Sequence, residues 1–272
     1  MDRASCTVEP SDERVAVRVA GVNLKIAVRR VARDADTLLL VHGLGCSMAS
    51  FDGVWSRPLA ERLSVLVPDL PGFGSSSRPE RFSYSMEDHA EALVQLLVAV
   101  GAGRIHLVAH SMGGAPALLL AERIGPQLAS FINVEGNLAP ADCGMISRRT
   151  ASKSFERFRR IGLPALRMAV QQSEQPAMRS FGGWLAAANP FAFWRSCGSL
   201  VEWSDSGELL RIFRELRCRR LYVYGERSGL PAVLDELGDV ERIAIPDCGH
   251  FVMQDAAEAF WPVVEQVVLG GD

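Results

Sequence analysis

The chain lacks paired cysteines and any gathering of metal ligands. Its six cysteines, at positions 6, 46, 143, 197, 218 and 248, show no C-x-x-C step and no spacing of a metal centre. Free thiols are therefore expected, with Cys46 and Cys248 as small packing residues beside loops. Long apolar runs are also missing. No stretch is long enough to cross a bilayer, and Met1 to Cys6 open no apolar leader, so the expectation is a cytoplasmic protein with no membrane partner. Neither sign of charge dominates: 29 basic and 32 acidic side chains leave a net charge of −3, which offers nucleic acid no global attraction. There is no internal repeat and no low-complexity tract. At 272 residues and 48% hydrophobic composition, the chain suits one large α/β domain with room for an insertion.

Three stretches carry chemistry. The apolar strand Arg104 to Ala109 runs through His110 into Ser111-Met112-Gly113-Gly114 and on into a helix from Ala115 to Arg123. A serine wedged between strand and helix must take a strained backbone, which small residues two positions to either side accommodate; Ala109 and Gly113 stand there. That is the setting of a nucleophile, the alternative being a serine that merely caps the helix. A second apolar strand, Thr37 to Val41, ends in His42-Gly43-Leu44-Gly45. The third, Ile243 to Ile245, leads into Pro246-Asp247-Cys248-Gly249-His250 and then a helix from Gln254 to Val268. His250 has the near-neutral imidazole suited to a general base. Of the other histidines, His42 and His110 belong to the motifs, His106 lies in a strand, and His89 sits on an amphipathic helix, where solvent exposure is expected.

These stretches together resemble the α/β-hydrolase superfamily, and the resemblance covers nearly the whole chain. It implies an α/β fold with a mostly parallel central sheet, helices on both faces and an inserted helical cap. It further implies Ser111 as nucleophile, His250 as base, and the backbone N–H groups of Leu44 and Met112 as an oxyanion hole. Asp69, in Asp69-Leu70-Pro71-Gly72-Phe73-Gly74, resembles the family's structural aspartate. One position departs from the pattern. Most relatives carry an aspartate in the turn after the penultimate strand, where this chain reads Gly225-Glu226-Arg227-Ser228. Some branches of the superfamily, among the haloalkane dehalogenases and lipases, are similar in taking their acid from the end of the strand after the nucleophile helix. Here that strand, Ala129 to Val134, is followed by Glu135. The resemblance thus makes Glu135 the acid of a Ser111, His250, Glu135 triad, the alternatives being Glu226, Asp247 or an incomplete triad in which Glu135 is a solvated strand-end carboxylate.

The alternation of apolar strands and amphipathic helices agrees with such a sheet. An antiparallel hairpin, Arg14 to Ala20 and Val22 to Arg30, opens it. One helix is expected near Phe51 to Leu63. Another runs from Met86 to Val100, capped by Ser85 with Asp88, its apolar face formed by Ala90, Leu93, Val94, Leu97 and Val98. Residues 138–206 break this rhythm and are expected to form a helical cap inserted into a core of residues 1–137 and 207–272. Eight of the chain's 17 Trp and Phe residues fall in that insertion, which makes Phe181, Trp184, Phe191 and Trp194 candidates to line an apolar substrate site. The same insertion carries Arg148, Arg149, Lys153, Arg157, Arg159, Arg160 and Arg167 against Glu156. This is a solvated helix face or, as the alternative, an attractor for an acyl-CoA or acidic carrier protein. The expected activity is cofactor-independent cleavage of a carboxylic ester, lactone or thioester of a small apolar acyl group. An acyltransferase, a lyase or a small-molecule receptor on the same fold are the other readings.

Overall fold

In the computed structural model of the chain, the described residues are 7–144, 146–229 and 231–270; Met1 to Cys6, and the readings made on them, lie outside these. Eight strands form one sheet: β1 (Ser11–Val19), β2 (Val22–Val31), β3 (Thr37–Val41), β4 (Ser64–Pro68), β5 (Ile105–His110), β6 (Leu128–Val134), β7 (Arg219–Gly225) and β8 (Glu241–Ile245). Their order is β1-β2-β4-β3-β5-β6-β7-β8. The first hairpin is antiparallel, β2 pairs antiparallel with β4, and every later pairing is parallel. Sequence pattern explains the placement. In β1, exposed and covered positions alternate as at an edge with one wet face, whereas every residue of β3 and β5 is buried. Parallel strands place their carboxyl ends on one side of the sheet, and the loops that leave β3, β5, β6, β7 and β8 meet there.

The helix Met86–Val100 is capped as expected, with Ser85 Oγ accepting from the Asp88 amide at 3.3 Å and Gly101 closing it at φ 67°. Its buried face includes Leu96 instead of Val98, which is 71% exposed. The helix expected near Phe51 to Leu63 is two pieces, a 3₁₀ stretch Met48–Ser56 and a short helix Pro58–Arg62 with proline at its start. The C-terminal helix likewise divides into Val252–Asp255 and Ala257–Leu269, with non-helical backbone at Ala256.

Between β6 and β7 the chain leaves the sheet as a run of helices: Ser147–Ala151, a continuous stretch Phe155–Gln171 with a π turn at Phe158–Gly162, Pro176–Ala187 and Pro190–Ser206. Glu208–Glu215 then returns the chain to the core. The inserted helices are held to one another by buried contacts. Phe158 stacks on Phe193 with ring centroids 5.5 Å apart, and burying side chains of that size stabilises by about 1.5–3 kcal/mol each. Polar pins add direction: Ser199 Oγ accepts from the Met86 amide at 3.0 Å, and Ser196 Oγ donates to the Tyr84 carbonyl at 3.1 Å. His89 lies in this seam. Contrary to the expectation of exposure it is fully buried, with Nε2 3.1 Å from Ser196 Oγ and the rings of Phe73, Phe82 and Tyr84 around it. No helix among the described residues is long and apolar enough to cross a membrane.

Candidate active site

Ser111 stands where β5 ends and the helix Gly114–Ile124 begins, with φ at 52°, a left-handed value costly for any residue but glycine. The turn tolerates no bulk: a side chain on Gly113 would put its Cβ 2.4 Å from the His42 carbonyl oxygen. The same backbone state recurs at Glu135, with φ at 48°, on the first residue after β6. Its amide donates to the Val223 carbonyl at 2.9 Å, and Asn133 Oδ1 accepts from the Gly136 amide at 2.6 Å, so the turn is pinned from both sides.

The side chains converge. His250 Nε2 lies 3.0 Å from Ser111 Oγ, and His250 Nδ1 lies 2.6 Å from Glu135 Oε2. An ionised carboxylate can only accept, so Nδ1 carries the proton and Nε2 is left to accept from the serine hydroxyl. Glu135 is 4% exposed. Its second oxygen, Oε1, accepts from the Gly225 amide at 2.8 Å and from the Ser228 hydroxyl. Burial alone would raise this carboxyl's pKa. The hydrogen bonds from His250, Ser228 and Gly225, with the attraction of His250, more than offset it and leave the group below its ordinary value. Of the rival acids, Asp247 forms an exposed ion pair with Arg227 at 2.6 Å, and Glu226 is exposed in the β7 turn. Neither meets the imidazole.

The His42 turn is fixed by two hydrogen bonds with opposite demands. Nε2 accepts from the Leu70 amide at 2.9 Å, so Nδ1 bears the proton and donates to the Gly43 carbonyl at 2.8 Å. Burial keeps His42 below its ordinary pKa. Asp69 braces the same region by accepting from the Met48 amide at 2.7 Å and the Ser75 amide at 2.6 Å, the structural role expected of it. Among the described residues the Leu44 amide meets no protein acceptor. The Met112 amide opens the 3₁₀ turn after the serine, where amides lack intrahelical partners.

Above these groups lies a cavity of about 340 Å³. Ser111, His250, Leu44 and Met112 form its floor, while Ile146, Met178, Phe181, Phe251 and Cys143 form its walls. Of the four aromatic candidates, only Phe181 is among these lining residues. Trp184 packs against Phe251 from behind at 6.3 Å between ring centroids. Phe191 and Trp194 belong to a separate aromatic cluster with Phe155, at 5.2 and 5.7 Å from it, and Trp194 Nε1 donates to the Lys153 carbonyl at 2.8 Å. Trp184, Phe191 and Trp194 thus do not line this cavity, contrary to the expectation from their aromatic clustering. His110, expected only as part of the serine motif, also lines the cavity and donates from Nε2 to the His250 carbonyl at 2.9 Å, and Phe251, the residue after His250, lines it too.

Several of the basic residues named in the insertion have partners within the chain. Arg148 pairs with Asp205 at 2.6 Å, Arg160 lies 3.7 Å from Glu156, and Arg167 donates to the carbonyls of Leu185 and Ala186. The cysteines among the described residues are free, and burial pushes the Cys248 thiol up to about 11. A thiol so raised is a packing group rather than a nucleophile.

A family model described as the alpha/beta hydrolase family matches residues 38–263. The chain belongs to that family. An uncharacterized protein of Mycobacterium tuberculosis is 31% identical over 143 residues, which are 52% of this alpha/beta hydrolase chain and 41% of the relative. The chain thus spans less than half of that curated relative's length. Among solved structures, a thermophilic esterase from Thermogutta terrifontis superposes with a TM-score of 0.78 at 22% identity, covering 95% of this chain and 98% of the other. The enol-lactonase from Burkholderia xenovorans superposes with a TM-score of 0.77 at 18% identity, covering 94% and 100%. At such identities the likeness is one of fold.

Proposed function

We propose that this alpha/beta hydrolase is a cofactor-independent serine hydrolase that cleaves a carboxylic ester, or a lactone or thioester, of a small apolar acyl group through an acyl-enzyme. The observation that carries the reading is the unbroken chain from Ser111 Oγ through His250 to the buried Glu135 carboxylate, opening into a cavity with an apolar wall. Ser111 attacks the acyl carbonyl while His250 Nε2 takes its proton. Glu135 holds the imidazole in the tautomer that leaves Nε2 free and stabilises the imidazolium once formed. The amides of Leu44 and Met112 donate to the tetrahedral oxyanion, each contributing about 3 kcal/mol to the transition state. His250 then protonates the leaving group, and water, activated by the same imidazole, releases the acid. The helices of residues 138–206 act as the cap over this site. A cavity of about 340 Å³ is of the size that takes a short to medium acyl group. The esterase and the enol-lactonase named above act, by their names, on bonds of this type.

The test is pre-steady-state hydrolysis of p-nitrophenyl butyrate. One nitrophenolate per active site is expected as a burst, and Ser111→Ala is expected to abolish burst and turnover while leaving the fold intact. Undiminished turnover in Ser111→Ala would remove the serine from the mechanism. A chain that binds esters without a burst would be a receptor, and release of product accelerated by added alcohol or thiol would make it an acyltransferase.

A further inference from the structure

We infer that Ser228 is a positioning residue that fixes the Glu135 carboxylate against His250, an inference that rests on reading Ser111, His250 and Glu135 as a triad. Its hydroxyl donates to Glu135 Oε1, the oxygen that also accepts from the Gly225 amide, while His250 occupies Oε2. Among the described residues, Ser228 and His250 are the only side chains that bond this carboxylate. The environment makes each donor count. A carboxylate as buried as Glu135 keeps its charge only when donors replace lost water. With Ser228 removed, Oε1 retains one amide, and the carboxylate can swing about its last torsion away from Nδ1.

Ser228 is itself held in register with both partners. Its amide donates to the Gly225 carbonyl at 3.0 Å, the Arg227 amide to the Cys248 carbonyl at 3.0 Å, and the Glu226 amide to the Ile245 carbonyl at 3.1 Å. The turn bearing the hydroxyl is therefore stapled to β8 and to the loop that carries His250. Gly225 allows this approach, since a Cβ there would lie 2.5 Å from the carbonyl oxygens of Cys248 and Gly249. One short turn thus sets the acid by its hydroxyl and amide, and the base by the loop it braces. The side chain also has the right polarity: the Gly225 amide and the imidazole Nδ1–H are obligate donors to an anion, and a hydroxyl supplies a third donor without adding charge.

The experiment compares Ser228→Ala and Ser228→Thr with the parent on p-nitrophenyl butyrate, with thermal unfolding to establish that each is folded. Ser228→Ala is expected to lower kcat by about tenfold to a hundredfold, the effect of losing one hydrogen bond to a charged group, with KM unchanged. Losing a donor raises the proton affinity of the coupled Glu135–His250 pair, so the acidic limb of kcat/KM moves to higher pH. The downfield proton resonance of His250 Nδ1–H shifts with it. Ser228→Thr, which keeps the hydroxyl, restores both rate and profile. A Ser228→Ala variant with parental kcat and an unmoved pH profile would overturn the inference, as would a threonine variant as slow as the alanine one. Failure of the triad reading is a different result, since it leaves Ser111→Ala or Glu135→Gln active.

Discussion

Replacing Glu135 by glutamine tests the acid assignment with a magnitude that follows from its three partners. The glutamine amide has one accepting and one donating end where the carboxylate has two accepting oxygens. If its oxygen stays on the Gly225 amide and the Ser228 hydroxyl, its NH₂ faces His250 Nδ1. Nδ1 must then become the acceptor, Nε2 carries the proton, and Ser111 loses its base. In the flipped amide the oxygen faces Nδ1 correctly, but the NH₂ meets the Gly225 N–H, which can only donate. Leaving that buried donor unpaired costs about 1–3 kcal/mol, so the productive arrangement is about ten to a hundred times rarer. Loss of the charge that stabilises the imidazolium multiplies the deficit, and kcat is expected to fall by as much as ~10⁴-fold, as when an analogous carboxylate becomes an amide. Burst and steady-state kinetics on p-nitrophenyl butyrate read this directly, with Glu226→Gln and Asp247→Asn expected within about tenfold of the parent. An active Glu135→Gln beside a crippled Glu226 or Asp247 variant would refute the reasoning.

One buried and one partly buried group give stability opposite pH dependences. Burial holds His89 near 3 in the folded chain, so the unfolded chain takes up its proton first and stability is lost as pH falls from the ordinary value of 6.5 toward 3. Asp142 is raised from 3.8 to about 6, chiefly by burial, so its contribution is full below 3.8 and is lost as pH rises through 6. Between those values each is worth about 3 kcal/mol and they nearly cancel. His89→Gln should expose a loss of stability with rising pH and Asp142→Asn the reverse, in urea titrations at about pH 4 and pH 6; parallel curves for both variants would contradict this. In the cavity wall, Phe181→Ala removes an apolar boundary and should shift preference toward longer acyl esters, measured as kcat/KM across a chain-length series. An unchanged optimum would exclude Phe181 as a boundary.

Local pattern was sufficient where the chemistry is local. The strained serine between β5 and its helix, the His-Gly turn after β3 and the Gly-His loop after β8 are each written within a few residues. The proposed acid was legible only as a pair of clues, a serine at position 228 and a carboxylate at strand end 135, and their meeting through one hydrogen bond spans 93 residues of sequence. Burial of His89 was not legible, because its covering partner Ser196 lies 107 residues away and helical periodicity does not report what packs on a polar-looking face. The insertion's aromatic content was plain, but which rings face the cavity depends on helix rotation. That rotation is set by contacts such as Phe158 on Phe193, which sequence spacing does not encode.

Glu135 is the first residue beyond the strand from which the inserted helices depart, and Asn137, two residues on, donates from its amide to the Ser111 carbonyl at 3.4 Å and from its side chain to the Asp142 carbonyl at 2.9 Å. The proposed acid and the proposed cap therefore share a root. On that reading, an upstream splice point for transplanting another specificity has to fall after Asn137, and a graft whose first turn re-aims that root is expected to alter catalysis together with selectivity.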